Sequence, residues 1–156
     1  MLETLFNPMG RIGPVTFRNA ALLLIGIGAM LGLTPLVYPS LWLSLASMAL
    51  LYPWAVIWVK RFHDAGKSGW MFLAVLVPWA IVGSGVSWFI SREFGVAPTP
   101  GITPAEAMAH ATVQMQQVAI PGTIASTIIS LAVALVVNEE LKSDPNENAH
   151  GAPAGH

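Results

Sequence analysis

The chain contains no cysteine among its 156 residues, which excludes disulfides, thiolate metal sites and cysteine nucleophiles. Charge is the second scarcity. Asp, Glu, Lys and Arg make up only 10% of the residues, against roughly 25% in ordinary soluble domains. Fifteen formal charges, seven basic and eight acidic, cannot coat a water-facing surface of this size. The net charge of −1 carries no bulk basicity, so no nucleic-acid partner is expected. No cluster of histidines and carboxylates has metal-ligand spacing, and neither a metal nor an organic cofactor is expected.

What is abundant is apolar mass. Hydrophobic residues make up 54% of the chain and the mean hydropathy is +0.64. The 41 residues from Asn19 to Val59 hold no Asp, Glu, Lys or Arg. As continuous helix they would measure roughly 60 Å, about two crossings of a ~30 Å hydrocarbon core. Tyr38-Pro39-Ser40 falls near the middle, where a hairpin would turn. Ala20 to Leu33 has the length of a signal-peptide h-region, but no A-x-A site follows and the apolar stretch continues through Val37. Retention of the segment is therefore expected.

The apolar pattern predicts an all-α, polytopic membrane protein with four transmembrane helices in one small bundle. The expected spans are 17–37, 41–59, 70–90 and 118–137, within a single domain over 1–142. Prolines 53, 78 and 121 fall inside spans, where neighbouring helices and hydroxyls can satisfy a freed carbonyl. If the N-terminus is cytoplasmic, Arg11, Arg18, Lys60, Arg61, Lys67 and Lys142 lie inside and only Arg92 outside. That bias puts both termini in the cytoplasm.

Residues 91–117 read as an extracytoplasmic insertion. Thr103-Pro104-Ala105-Glu106 forms a capping box with proline at the first helical position. The helix it opens aligns Glu106, His110, Gln114 and Gln117 on one stripe. A short amphipathic helix on the outer membrane surface is expected before the fourth span, with a kink at Pro121. The tail from Ser143 to His156 has almost no apolar mass and is expected to be disordered and cytoplasmic.

Helices in lipid associate through close contact and interhelical hydrogen bonds, because lipid is as apolar as leucine. Gly28 and Gly32 in the first span form a small-xxx-small face, and Ser126 and Ser130 repeat the spacing in the fourth. Such faces serve packing within the bundle, homo-oligomerisation, or docking onto a larger membrane complex.

The densest cluster of ionisable groups is Lys60-Arg61-Phe62-His63-Asp64-Ala65-Gly66-Lys67-Ser68-Gly69-Trp70, read as the loop between the second and third spans. Gly66 and Gly69 allow a tight turn, and Trp70 marks re-entry at the interface. Arg11, Arg61, His63, Asp64, Lys67 and Ser68 are the candidate polar cluster, serving lipid headgroups or structure. Arg61 and Lys67 could bind a headgroup phosphate, while Asp64 could orient Arg61 or pair with Arg11 or Arg18. Gly66-Lys67-Ser68 looks like the end of a phosphate-binding loop, but Arg61 occupies the first glycine position and no strand precedes it. His63, Asp64 and Ser68 lie too close in sequence for a hydrolytic trio, and no catalytic residue is assigned.

Gly10-Arg11-Ile12-Gly13 ahead of Phe17, together with the Lys60–Trp70 segment, resembles the domain of unknown function 805 family (YhaH-like bacterial inner-membrane proteins). Members carry a G-R-I-x-R motif before the first span and R-R-L-H-D-x-G-[KR]-S-G-W between later spans. Here Pro14 stands where a second basic residue is usual and Arg18 where an aromatic often sits. The family's N-R-[FY]-G-x-D-P ending is faintly echoed by Asn138 to Pro145. The resemblance implies a bacterial cytoplasmic-membrane protein with both motifs on the cytosolic face, and no established reaction, substrate or cofactor. With both motifs on one side, the family pattern leads us to expect that Arg11 meets the His63-Asp64 turn as an Arg11–Asp64 pair, with Arg61 and Lys67 facing headgroup phosphates.

Three functions remain open. The first is a non-enzymatic accessory, scaffolding or envelope-associated protein acting through helix packing and membrane lipids. The second is a lipid-binding sensor or membrane enzyme acting on headgroups. The third is a small oligomeric transporter or channel, which the lack of ionisable residues inside the spans disfavours.

Overall fold

The computed structural model describes residues 2–97 and 100–154. Among the described residues six α-helices follow in order: α1 (Leu2–Phe6), α2 (Pro14–Leu33), α3 (Leu41–Ala46), α4 (Leu51–Asp64), α5 (Leu73–Phe94) and α6 (Pro104–Glu140). Short 3₁₀ turns at Thr34–Leu36, Ser47–Leu50 and Gly69–Phe72 extend or join them. No strand occurs among the described residues. Four segments are long and apolar enough to cross a membrane: Pro14–Leu36, Trp42–Asp64, Gly69–Phe94 and Pro104–Glu140. The chain is an all-α polytopic bundle, as its hydropathy predicts.

Local chemistry sets the boundaries. Pro14 opens α2 behind an extended Gly13, where a missing N–H costs nothing. Ser40 caps α3, its Oγ accepting from the Leu43 N–H at 3.4 Å. The second span is not one smooth helix, because the 3₁₀ turn Ser47–Leu50 precedes Pro53. The proline ring would crowd the carbonyl four residues back, at Ala49, and the tighter turn relieves it. Since α4 starts at Leu51, the N–H that Pro53 lacks belongs to a first turn without intrahelical partners.

The structure differs from the expected segments at two of the span ends. The second span continues in helix through Asp64, so Lys60 to Asp64 are not loop. Only Ala65 to Ser68 make the turn, with Gly66 at φ +67° ending the helix in a conformation that glycine adopts without strain. The short surface helix before the fourth span is also revised. Thr103 and Glu106 do form the capping box, but the helix they open runs unbroken from Pro104 through Pro121 to Glu140. At ~1.5 Å per residue it measures about 55 Å, so roughly 25 Å extends beyond a ~30 Å hydrocarbon core. The upper part is held by Gln114, whose Oε1 accepts from the Val96 N–H.

The starts of α2 and α5 and the ends of α4 and α6 share one end of the bundle with α1 and the C-terminal segment. The core is concentrated there. Phe17, Leu24, Ile57, Trp58, Phe62, Ala134 and Leu141 are buried together, with the Phe17 and Trp58 ring centroids 4.6 Å apart. The opposite half is looser. On α5 only Ile90 is buried, and Gly28 has no neighbouring atom within 4 Å of where a Cβ would stand. Gly32 alone of the expected pair makes a close helix contact, with Thr123 on α6.

Candidate functional site

Because α4 remains helical to Asp64, Arg61 and Asp64 fall three residues apart on one face, both 1% exposed. Arg61 Nη1 meets Asp64 Oδ2 at 2.9 Å. The other carboxylate oxygen receives Arg11 from the segment before α2, with Nη2–Oδ1 at 3.3 Å. Asp64 therefore bridges two guanidinium groups. The Arg11–Asp64 pairing is the one the two sequence motifs led us to expect.

The remaining donors of Arg61 reach the end of α6. Nε donates to Asn138 Oδ1 at 2.6 Å and Nη2 to the Asn138 carbonyl at 3.0 Å and to the Leu141 carbonyl. Asn138 is itself 7% exposed, and its Nδ2 donates to the Pro14 carbonyl at 3.2 Å. One asparagine thus ties α6 to the start of α2 and to α4. The donors of Arg61 are thus met within the protein, by Asp64 and by the end of α6. An ion pair this deep repays its desolvation only when the other lone pairs and protons are also satisfied. Here they are, for no buried side-chain nitrogen or oxygen among the described residues lacks a partner.

The C-terminal segment closes over this cluster. Composition predicts a disordered tail from Ser143, whereas residues 143–154 lie against the end of the bundle; residues 155–156 lie outside the described residues. Ser143 Oγ donates to Asp64 Oδ2, and the Asp144 N–H donates to the Asp64 carbonyl at 2.8 Å. Arg11 does most of the holding, donating to the carbonyls of Asp144, Asn146 and Gly151. Backbone carbonyls need no apolar side chain to be recruited, which is why composition misses this contact. Asn146 N–H and then Asn148 Nδ2 donate to the Asp144 carboxylate, at 3.0 and 3.2 Å, and hold it below its ordinary pKa. We refer to this assembly as the latch.

His63 faces the latch. Its Nδ1 lies 3.2 Å from the Gly10 carbonyl, and its ring stacks on His150 with centroids 3.7 Å apart and planes within 4°. No group of three or more histidine and carboxylate side chains placed to hold a metal occurs among the described residues. Gly69 packs so tightly that a Cβ there would stand 2.8 Å from Val59 Cγ1 and 2.9 Å from His63 Nε2. Gly66 faces Asp144 Oδ2.

The structure brings together Arg11, Arg61, His63 and Asp64, with Gly66 and Gly69 as close-contact positions. It leaves Lys67, Ser68 and Trp70 exposed. Ser126 and Ser130 lie away from this site, on α6, where Ser130 Oγ accepts from Trp79 Nε1 at 3.3 Å. Residues the motifs did not single out are Asn138, Ser143, Asp144, Asn148 and His150. The Asn138 to Pro145 echo was the available signal for the first three.

Four apolar helices sealed at one end by a buried Arg–Asp–Arg cluster define a multi-pass membrane protein with a self-closed polar face. The family model described as protein of unknown function, DUF805, matches residues 5–152, and the chain belongs to that family. Its span includes the latch segment, so the C-terminal echo lies within the family domain. No curated protein and no solved structure matches the chain.

Proposed function

We propose that this chain is a non-enzymatic accessory or scaffolding protein of the bacterial cytoplasmic membrane, with both termini in the cytosol. The observation that carries the reading is the internal use of the polar cluster. Arg11, Arg61 and Asp64 direct their donors and acceptors at one another, at Asn138 and at the tail. A catalytic or headgroup site would keep such groups free for a substrate; here they fix the shape of the bundle's end. The positive-inside bias supports a cytosolic latch. Arg18, Lys67 and Lys142 remain exposed on this side and supply the charge facing anionic lipid headgroups. The wide apolar surface of α5 suits lipid, a second copy or a larger membrane complex.

The test is affinity purification of the intact protein from native membranes, with co-purifying proteins and lipids identified together. The reading expects a membrane-protein partner with wild type that is lost or reduced with Asp64→Ala. Recovery of the chain alone, or an equal partner set with the opened latch, contradicts it.

A further inference from the structure

Between α4, α5 and α6 lies an apolar pocket of about 130 Å³, walled by Trp54, Trp58, Phe72, Val75 and Trp79. Its position follows from the packing around it. The Gly69–Phe72 turn packs on α4, but past Phe72 the two helices draw apart, α4 toward α2 and α5 onto α6. The crevice left between them is backed by Val133 and Ala134 of α6. From Trp58 to Leu51 along α4 it spans about two helical turns, roughly 10 Å, or a third of a ~30 Å hydrocarbon core. It therefore lies at lipid depth, in the half of the membrane next to the latch.

The chemistry of the wall decides what can enter. Trp79 Nε1 donates to Ser130 Oγ at 3.3 Å, so the one hydroxyl on the lining is already engaged. The rest of the lining is almost entirely apolar. An apolar cavity of this size stays dry, and its walls forfeit dispersion contacts that an apolar guest restores. At the far end Leu51, Trp54 and Trp79 also border the wide, mainly apolar groove between the spans, so a guest longer than the pocket has a path onward. At the near end stands the α4–α5 turn, where Lys67 and Trp70 are exposed. Lys67 enters no ion pair among the described residues. The acidic groups flanking the turn are engaged elsewhere. Asp64 is held by Arg11 and Arg61, and Asp144, which faces Gly66, by Asn146 and Asn148.

We propose that this crevice seats an acyl chain of one anionic phospholipid, with Lys67 on its phosphate, an inference that goes beyond the scaffolding reading and needs neither a protein partner nor a particular membrane orientation. A long apolar chain with an anion at one end matches an apolar crevice with a cation at one end. A helix from a second copy, about 10 Å across, is too thick for a pocket of this volume closed behind by α6. An inorganic anion alone would leave the aromatic walls unfilled.

The pocket's own tryptophans report its occupancy. Trp42→Phe, Trp70→Phe and Trp88→Phe together remove three exposed indoles and leave Trp54, Trp58 and Trp79, all on the pocket wall. This triple variant in detergent micelles is titrated with phosphatidylglycerol carrying dibrominated acyl chains, whose bromines quench indole fluorescence on contact. The proposal expects quenching that saturates near one lipid per chain. Adding Ala55→Phe or Val75→Phe, each of which fills the pocket, weakens it severalfold, while Ala74→Phe on the exposed side of α5 leaves it unchanged. Unlabelled phosphatidylglycerol reverses the quenching at severalfold lower concentration than phosphatidylcholine, and inorganic phosphate does not reverse it. Lys67→Gln removes the difference between the two lipids. Quenching that rises without saturation, or equally in all three added Phe variants, would mean bulk lipid and overturn the proposal. Equal competition by the two lipids with Lys67 in place overturns it as well. Absence of quenching also overturns it, whether the pocket stays empty or a second copy covers it.

Discussion

Asn138 Oδ1 accepts from Arg61 Nε at 2.6 Å across 77 residues of sequence, joining the last turn of α6 to the last turn of α4. Both groups are buried, so neither has water as a substitute partner. Asn138→Ala strands Arg61 Nε and is expected to cost about 1–3 kcal/mol, read as thermal unfolding in detergent. Exposed Asn146→Ala, which keeps its backbone carbonyl for Arg11, is expected to change stability by less than about 0.5 kcal/mol.

Two glycines of one small-residue face are expected to behave oppositely. Gly32→Ala would place its Cβ 2.5 Å from Thr123 Oγ1, an overpacking expected to cost about 1–3 kcal/mol. Thr123→Ala removes that atom and is expected to restore most of the loss. Gly28→Ala meets nothing within 4 Å and is expected to stabilise the helix by up to about 1 kcal/mol. Equal effects at the two positions would mean that α2 and α6 pack differently.

Much of this architecture can be read from the residues. Four charge-free stretches specify the spans, and two motifs separated by two spans, and so on one membrane face, led through the family pattern to the Arg11–Asp64 pair. The end of α4 is less legible. Lys60 to Asp64 are charged, and hydropathy stops at Val59, although helix geometry carries on until Gly66 reverses the backbone. Continuity of α6 is hidden for a similar reason, because a capped amphipathic start and an interior proline read as two segments. The latch segment is hidden most deeply. Its anchors are backbone carbonyls accepting from Arg11, and carbonyls leave no mark in composition.

Acid should loosen the tail through Asp144. Its carboxyl is held below the ordinary range, first by the Asn146 N–H and then by Asn148. A depressed carboxylate contributes stability that is fully present above its unfolded-state pKa and is lost as pH falls through the lower folded value. Protease protection of residues 143–154 is therefore expected to hold across the neutral range and decline only below the usual carboxylate pKa. Asp144→Asn is expected to weaken protection at neutral pH and flatten that decline.

Orientation has its own readout. Lys67 is exposed in the turn after α4, and in this cysteine-free chain Lys67→Cys is a unique label site. A membrane-impermeant maleimide is expected to leave it unmodified in intact cells and to modify it in inverted membrane vesicles. Labelling from outside intact cells would reverse the orientation and move the latch to the outer face.

Asp64 joins the N-terminal segment to the end of α4, and the closed end of the bundle depends on that junction. A double-mutant cycle with Arg11→Ala and Asp64→Ala, measured by unfolding in detergent, tests it most directly. The expected coupling is about 1–3 kcal/mol, with Asp64→Ala alone costing about 3–5 kcal/mol because it leaves Arg61 buried without its counter-ion. Additive losses, within about 0.3–0.5 kcal/mol, would contradict the pairing and with it the latch.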